Sequence, residues 1–104
     1  MKKSDVGLIG LGTMGSMLAL NIAEKGFQIS VFNRTTEITR KFSKTAGKLS
    51  ENITPCETLH ELVTTIKNPR AIILMVPAGS AVDEQIGALR PLLNPEDIIV
   101  DAGN

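Results

Sequence analysis

A glycine-rich turn, Gly10-Leu11-Gly12-Thr13-Met14-Gly15, directly follows the apolar residues Val6-Gly7-Leu8-Ile9. Its G-x-G-x-x-G spacing gives each glycine a physical task. Gly10 permits a tight turn, Gly12 lets a ligand approach the backbone closely, and Gly15 lets the next helix pack against the strands. A strand that ends in glycines and reopens as a helix directs free N–H groups and the positive end of the helix dipole to one point. The turn is therefore a candidate phosphate site.

The triplet Asn33-Arg34-Thr35 follows a second apolar stretch, about twenty residues beyond the glycines. Domains that select NAD commonly have an acidic residue there, which accepts hydrogen bonds from the ribose 2′-hydroxyl. A neutral Asn33 would not repel a 2′-phosphate, Arg34 can bind phosphate bidentately or stack on adenine, and Thr35 can add a hydroxyl donor. The triplet favours NADP over NAD. The alternative is that Arg34 is a surface residue and that Thr35 only caps a helix.

Apolar, strand-like stretches alternate with helical patterns along the chain, which predicts parallel βαβ units. We expect five strands, at Asp5–Ile9, Gln28–Phe32, Ser50–Thr54, Ala71–Val76 and Ile98–Val100. The continuous apolar character of Ala71–Val76 is typical of a strand buried on both faces. The predicted architecture is a Rossmann-type doubly wound α/β fold with a parallel sheet in the order 3-2-1-4-5, ending after the fifth strand. The carboxyl ends of its strands would form the ligand-binding edge.

The first two helices are predicted from four-residue spacing. The first covers about Thr13–Lys25 and ends at Gly26, with a recurring apolar row of Met14, Leu18 and Ile22. The second ends at Gly47 and carries on one face Ile38, Phe42 and Ala46. Its other face is basic and is expected to be solvated.

Capping-box patterns predict where the other two helices begin. Thr58 with Glu61 starts a helix that ends at Asn68-Pro69, with the inward residues Leu62, Val63 and Ile66. Ser80 with Asp83 starts a helix after the break Pro77-Ala78-Gly79, with the inward residues Val82, Ile86 and Leu89.

The composition argues against several other classes of site. The chain has 104 residues, enough for one domain, and its 11 basic side chains balance 11 acidic ones, so no basic excess points to nucleic acid. Three Phe without Tyr or Trp make a base-stacking surface improbable on composition. Cys56 and His60 are single, so we expect a structural thiol and no metal site. Without a signal peptide or an apolar stretch long enough for a bilayer, the expectation is a cytoplasmic protein with no membrane contact.

Further residues extend the pattern of the glycine turn and the triplet. They are Leu18–Phe27, Val31-Phe32, Met75-Val76, Ala78-Gly79, Val82-Asp83 and the closing Asp101-Ala102-Gly103-Asn104. Together these residues resemble the amino terminus of the 6-phosphogluconate dehydrogenase family over nearly the whole chain. The Asn-Arg-Thr triplet combined with an Asp-x-Gly-Asn ending is more specific than the glycines, because related enzymes for small β-hydroxy acids usually have Asp-x-Ser-Thr.

The resemblance implies a role for each matching position. The turn Gly10–Gly15 would hold the pyrophosphate, Asn33-Arg34-Thr35 the 2′-phosphate of NADP, and Val76-Pro77-Ala78 would contact the cofactor. Asn104 would bridge the nicotinamide and the sugar substrate. In the family, NADP takes a hydride from carbon 3 of 6-phosphogluconate, and the resulting β-keto acid loses carbon dioxide to give ribulose 5-phosphate.

The resemblance also implies that residues 1–104 are an incomplete NADP-binding domain. The family's proton-moving lysine and glutamate, and the helical domain of its homodimers, lie beyond residue 104. The chain alone is therefore expected to be inactive and marginally stable, with an exposed sheet edge. Two positions depart from the family: Pro77 stands where Lys is common and Ala102 where Gly is common. The alternatives are a related β-hydroxyacid dehydrogenase or reductase and a non-enzymatic dinucleotide-binding module.

Overall fold

The computed structural model describes residues 3–103. Five parallel strands form one sheet in the order β3-β2-β1-β4-β5. The strands are β1 (Val6–Ile9), β2 (Ile29–Phe32), β3 (Ile53–Cys56), β4 (Ala71–Leu74) and β5 (Ile98–Asp101). The helices are α1 (Thr13–Glu24), α2 (Thr36–Thr45), α3 (Leu59–Thr64) and α4 (Ser80–Leu89), with 3-10 turns at Gly47–Asn52 and Arg90–Leu92. The predicted Rossmann-type fold and strand order are confirmed.

Two apolar cores lie on opposite faces of the sheet, because successive strand residues point to opposite sides. Leu8 packs with residues of α1 and α2, whereas its neighbour Ile9 packs with residues of α3 and α4. Strands β1 and β2 thus contribute to both cores, whereas β4 contributes to the core formed with α3 and α4. The arrangement leaves the carboxyl ends of the strands at one edge, where the turns that follow β1, β2 and β4 meet.

Helix α1 packs on the sheet through small residues, and of the predicted apolar row Leu18 and Ile22 are partly buried against the core formed with α1 and α2 whereas Met14 is not. Met14 is 60% exposed. The buried residues are Gly15, Ala19 and Ala23, one position further along. A Cβ at Gly15 would overlap the carbonyl oxygen of Gly10. Helix α1 lies too close to the turn for a larger side chain at Gly15. This steric requirement, more than the hydrophobicity of the longer side chains, determines which residues of α1 lie against the sheet.

The second apolar row is correct except at its first residue. Phe42 and Ala46 are buried, but Ile38 is 42% exposed. Thr39 takes the inward position next to it and is 1% exposed, and its hydroxyl oxygen accepts a hydrogen bond from the N–H of Asn33. A threonine can be buried there because the end of β2 supplies its partner.

The third strand begins later than the predicted Ser50–Thr54. Residues up to Asn52 form the 3-10 turn, and β3 starts at Ile53. The side chain of Asn52 fixes this boundary, since its Nδ2 donates to the carbonyl of Ala23 and its Oδ1 accepts from Gln28. These partners are distant in sequence, so the local sequence pattern could not predict where β3 begins.

One capping prediction is confirmed and the other is wrong. The hydroxyl of Thr58 accepts from the N–H of Glu61 at 3.0 Å, as predicted, although α3 ends at Thr64, before Asn68-Pro69. Leu62, Val63 and Ile66 are buried as expected. Ser80, however, is the first residue of α4, and the capping residue is Gly79 with φ 94° and no side-chain cap.

Strand β4 is buried on one face only, contrary to the prediction for Ala71–Val76. Ile72 and Leu74 are fully buried, whereas Ala71 and Ile73 are partly exposed. Their neighbours on β5 are Ile98 and Val100, which are 57% and 45% exposed. The core formed with α1 and α2 does not extend over these residues. Within residues 3–103, no helix has the length and apolar character required to cross a membrane.

Asp97 holds the turn before β5 to the segment before β4. Its carboxylate accepts hydrogen bonds from the N–H of Arg70 at 2.6 Å, the N–H of Asn94 at 2.8 Å and the guanidinium of Arg70 at 3.1 Å. Burial acts to raise the pKa of Asp97, but these donors and the charge of Arg70 outweigh it and hold the pKa below its usual value. The stabilisation is present above about pH 4 and is lost as the pH falls through the lowered pKa.

We expect Asp97→Ala to lower the free energy of unfolding by about 3 kcal/mol at neutral pH, because the largely buried Arg70 loses its counter-charge. The difference from wild type should shrink as the pH falls below about 4. Urea unfolding at several pH values measures both effects. Glu57→Ala is the matched control, since it breaks the exposed ion pair with Arg40 and should cost at most about 1 kcal/mol. Equal losses in the two variants would contradict the argument.

Candidate functional site

The glycine turn lies between the carboxyl end of β1 and the start of α1. Gly10 has φ 104°, and a Cβ there would overlap the carbonyl oxygen of Met75. Its N–H donates to the carbonyl of Phe32 at 2.9 Å, which continues the sheet bonding into the turn. Gly10 and Gly15 are therefore glycines for close packing, as their spacing indicates.

Gly12 differs from the other two glycines because a Cβ on it would meet no atom within 4 Å. It precedes the first residue of α1, whose first turn carries no acidic side chain. None of the described residues accepts a hydrogen bond from the N–H groups of residues 12–15. These donors and the positive end of the helix dipole are available to an anion in the open space beside Gly12.

Asn33 ties the glycine turn to the end of β2. Its Oδ1 accepts from the N–H of Leu11 at 2.8 Å, and its Nδ2 donates to the carbonyl of Thr35 at 3.4 Å. Sequence reasoning found only the neutrality of Asn33 and missed this positioning role, because the two bonded residues are 22 positions apart.

Arg34 and Thr35 have side chains free for a ligand. Arg34 is exposed and makes no hydrogen bond or ion pair with a described residue. Thr35 precedes the first residue of α2, but its hydroxyl does not cap the helix. The alternative in which the side chain of Thr35 only caps the helix is therefore wrong.

Two clefts meet at the glycine turn. The first, of about 320 Å³, lies between the ends of β2 and β4, and its lining includes the predicted residues Gly10, Gly12, Asn33, Arg34, Thr35, Val76 and Pro77. The second, of about 360 Å³, lies beside the ends of β4 and β5, and its lining includes Met14, Gly15, Ala102 and Gly103. Both clefts include Gly12, Met75, Val76 and Pro77. The two clefts thus adjoin each other at Gly12, beside the N–H groups at the start of α1.

The other residues that the sequence predicted to bind the cofactor do not line either cleft or lie outside the described residues. Leu11 is buried and contributes its backbone N–H to Asn33. Thr13 and Ala78 are exposed and line neither cleft. Asn104 lies outside the described residues.

Sequence reasoning missed part of the lining of the first cleft. These residues are Ile9, Ile38, Met75, Ala81, Glu84 and Gln85. Ile38 shares an apolar helix face with the buried Phe42 and Ala46, and its position on the cleft accounts for its exposure. The signal for Gln85 in the sequence is a glutamine on the otherwise apolar face of α4. Glutamine is unusual at such a position because it is mostly exposed in folded proteins.

Gly103 brings the end of β5 against the end of β4. A Cβ on Gly103 would overlap the carbonyl oxygen of Val76. The N–H of Ala102 donates to the carbonyl of Leu74 at 2.9 Å, so the sheet bonding continues beyond β5. The Asp-x-Gly-Asn pattern thus requires a glycine because the two strand ends touch at this position. The contact places Ala102 and Gly103 on the wall of the second cleft.

Cys56 is fully buried at the end of β3 and lines neither cleft. Burial, with a smaller contribution from the charge of Glu61, raises the pKa of its thiol to about 11 against the opposing hydrogen bonds of Thr65 and Ser30. The thiol is protonated at neutral pH and unreactive, as a structural cysteine should be. Residues 3–103 contain no group of three or more His, Cys, Asp or Glu side chains arranged to hold a metal ion.

Comparison with known proteins agrees with this geometry. The sequence matches the family described as the NAD binding domain of 6-phosphogluconate dehydrogenase over residues 5–104. It is 46% identical over 102 residues to the decarboxylating 6-phosphogluconate dehydrogenase of Ceratitis capitata, covering 98% of this chain and 21% of that enzyme. It is 42% identical over 104 residues to the NADP(+)-dependent decarboxylating enzyme of Bacillus subtilis, covering 100% of this chain and 22% of that enzyme.

A solved structure gives the same result. The 6-phosphogluconate dehydrogenase of Plasmodium falciparum, described in its apo form and in complexes with NADP+ and 6-phosphogluconate, superposes with a TM-score of 0.87 at 44% identity. The match covers 95% of this chain and 21% of that one. The chain therefore spans about a fifth of the length of these relatives. The predicted resemblance is confirmed, and the chain belongs to the family of the NAD-binding domain of 6-phosphogluconate dehydrogenase.

Proposed function

We propose that this chain binds NADP and is the cofactor-binding part of a decarboxylating 6-phosphogluconate dehydrogenase. The observation that carries the proposal is the position of two clefts on either side of Gly12, next to backbone N–H groups that have no acceptor within residues 3–103. These donors suit a pyrophosphate, and each cleft would then hold one half of the dinucleotide.

The lining residues of the first cleft fit an adenosine with a 2′-phosphate. Arg34 provides a guanidinium that has no competing partner among the described residues, and Thr35, whose hydroxyl does not cap α2, lines the same cleft. Asn33 places a neutral amide where NAD-selective domains have a carboxylate. Phosphate contacts of this kind are charge-assisted and therefore strong. The NADP dependence in the name of the Bacillus subtilis relative also supports this choice.

The second cleft would hold the nicotinamide, which accepts a hydride when the cofactor is bound. Met75, Val76 and Pro77 form a wall that both clefts share, so they would limit the positions available to the cofactor between its two halves. Pro77 contributes neither a cation nor an N–H donor at this wall, unlike the lysine common in the family.

For the whole enzyme we propose the family's reaction, the oxidation and decarboxylation of 6-phosphogluconate to ribulose 5-phosphate in the pentose phosphate pathway. Within it, residues 1–104 bind and orient the cofactor, and Asn104 contacts both nicotinamide and substrate. The same proposal includes a cytoplasmic homodimer as the working form.

Calorimetric titration of the 104-residue chain with NADP and with NAD tests the cofactor assignment. We expect NADP to bind at least about tenfold more tightly, a difference of about 1.4 kcal/mol, because only NADP has the phosphate that Arg34 can bind. Equal affinities would contradict the choice of NADP. No binding of either dinucleotide would contradict the proposed function itself.

A further inference from the structure

Gln85 carries a buried polar atom that lacks a partner. The residue lies on α4 and is 8% exposed. Its Oε1 makes no hydrogen bond with any described residue. Within residues 3–103, every other buried side-chain oxygen or nitrogen has a hydrogen-bond partner. Such groups are rare in folded proteins, since a buried acceptor without a donor destabilises the native state. Oε1 is enclosed in the present conformation, so a ligand in the neighbouring cleft would supply the missing donor once the carboxamide turns toward it.

The surroundings of Gln85 indicate the chemistry of that ligand. Gln85 lines the first cleft together with the apolar residues Ile38 and Ala81 and with Arg34, whose side chain ends in a guanidinium. Apolar side chains and a planar guanidinium pack well against a flat ring. A carboxamide pairs well with the edge of a ring that presents a donor beside an acceptor. Adenine has this edge, with an exocyclic amine next to a ring nitrogen.

We propose that Gln85 recognises the adenine base of the cofactor, with Oε1 accepting a hydrogen bond from the exocyclic amine and Nε2 donating to the adjacent ring nitrogen N7. The terminal torsion of a glutamine is soft, so the carboxamide can turn toward a ring in the cleft. The proposal rests on the proposed function and adds a residue that selects the base. Hypoxanthine has a carbonyl in place of the amine, so its O6–N7 edge presents two acceptors, and either orientation of the carboxamide sets the glutamine oxygen against one of them.

The test compares binding of NADP with binding of nicotinamide hypoxanthine dinucleotide phosphate by calorimetric titration of the 104-residue chain. For wild type we expect NADP to bind about tenfold more tightly. Gln85→Met has a similar shape without hydrogen-bonding groups and should bring the ratio of the two affinities to about one. Gln85→Glu keeps an acceptor for the amine and should retain the preference for NADP.

Gln28→Met is the matched control, because it makes the same chemical change at the other glutamine of the chain. Gln28 lines neither cleft and donates to Asn52. This variant should keep the wild-type ratio even if it lowers the melting temperature.

Several outcomes would overturn the inference. A wild-type ratio near one does so directly, and so does a preference that survives in Gln85→Met. If Gln85→Met does not fold, the inference is overturned by a wild-type ratio near one or by a loss of the preference for NADP in Gln85→Glu. If NADP is preferred over NAD but the base is not discriminated, only the role of Gln85 is wrong. If no dinucleotide binds, both this inference and the proposed function are wrong.

Discussion

Gly12→Ala is expected to weaken NADP binding by about 100-fold, or about 2.7 kcal/mol, while the fold stays intact. The backbone at Gly12 has φ −70°, which alanine adopts without strain. The added methyl meets no protein atom within 4 Å, so it enters the open space that both clefts share. A pyrophosphate could then no longer approach the N–H groups at the start of α1. Calorimetric titration measures the loss, and thermal unfolding should give a melting temperature within about 2 °C of wild type.

Gly15→Ala is the matched control because it adds the same methyl three residues later. There the Cβ would overlap the carbonyl oxygen of Gly10, so the variant should lose about 2 kcal/mol of stability or more. If Gly12→Ala binds NADP as wild type does, the pyrophosphate does not lie at this turn. If Gly12→Ala unfolds as easily as Gly15→Ala, the two glycines do not have the separate roles assigned to them.

Arg34→Ala is expected to reduce the preference for NADP over NAD by about 100-fold, mainly through weaker binding of NADP. The guanidinium is exposed and has no partner among the described residues, so its removal should not affect folding. NAD lacks the phosphate that Arg34 would bind, and its affinity should change little. Titrations of each variant with both dinucleotides measure the effect.

Arg40→Ala removes the same charge from α2 and controls for a general electrostatic effect. Arg40 pairs with Glu57 and lines neither cleft. It should leave the preference for NADP unchanged. An unchanged ratio in Arg34→Ala, or an equal loss in both variants, would rule out a direct contact between Arg34 and the 2′-phosphate.

The sequence predicted those parts of the fold and site that depend on neighbouring residues. The strand, glycine turn and helix at Val6–Glu24 are local, and so is the cap formed by Thr58 and Glu61. The alternation of such units predicted a parallel sheet, and the order 3-2-1-4-5 is that of the Rossmann-type fold to which the glycine turn points. The position of Arg34 at the cleft followed because the ends of parallel strands share one edge.

The sequence failed where distant residues decide the structure. Met14 shares an apolar row with Leu18 and Ile22 but does not reach the core as they do, because the approach of Gly15 to Gly10 brings the small residues of α1 against the sheet. The bond between Asn33 and Leu11 joins two segments that only the folded sheet brings together. Gln85 has the spacing of a core position, and only the cleft beside it explains an unpaired polar group there.

The hydrogen bond from Leu11 to Asn33 separates the shape of the site from its choice of cofactor. The bond requires only an acceptor oxygen at position 33, which asparagine and aspartate both provide in the same place. An aspartate there would hold the glycine turn equally well and would also repel a 2′-phosphate. The phosphate-binding turn can therefore be retained while a single nearly isosteric change alters which dinucleotide it serves.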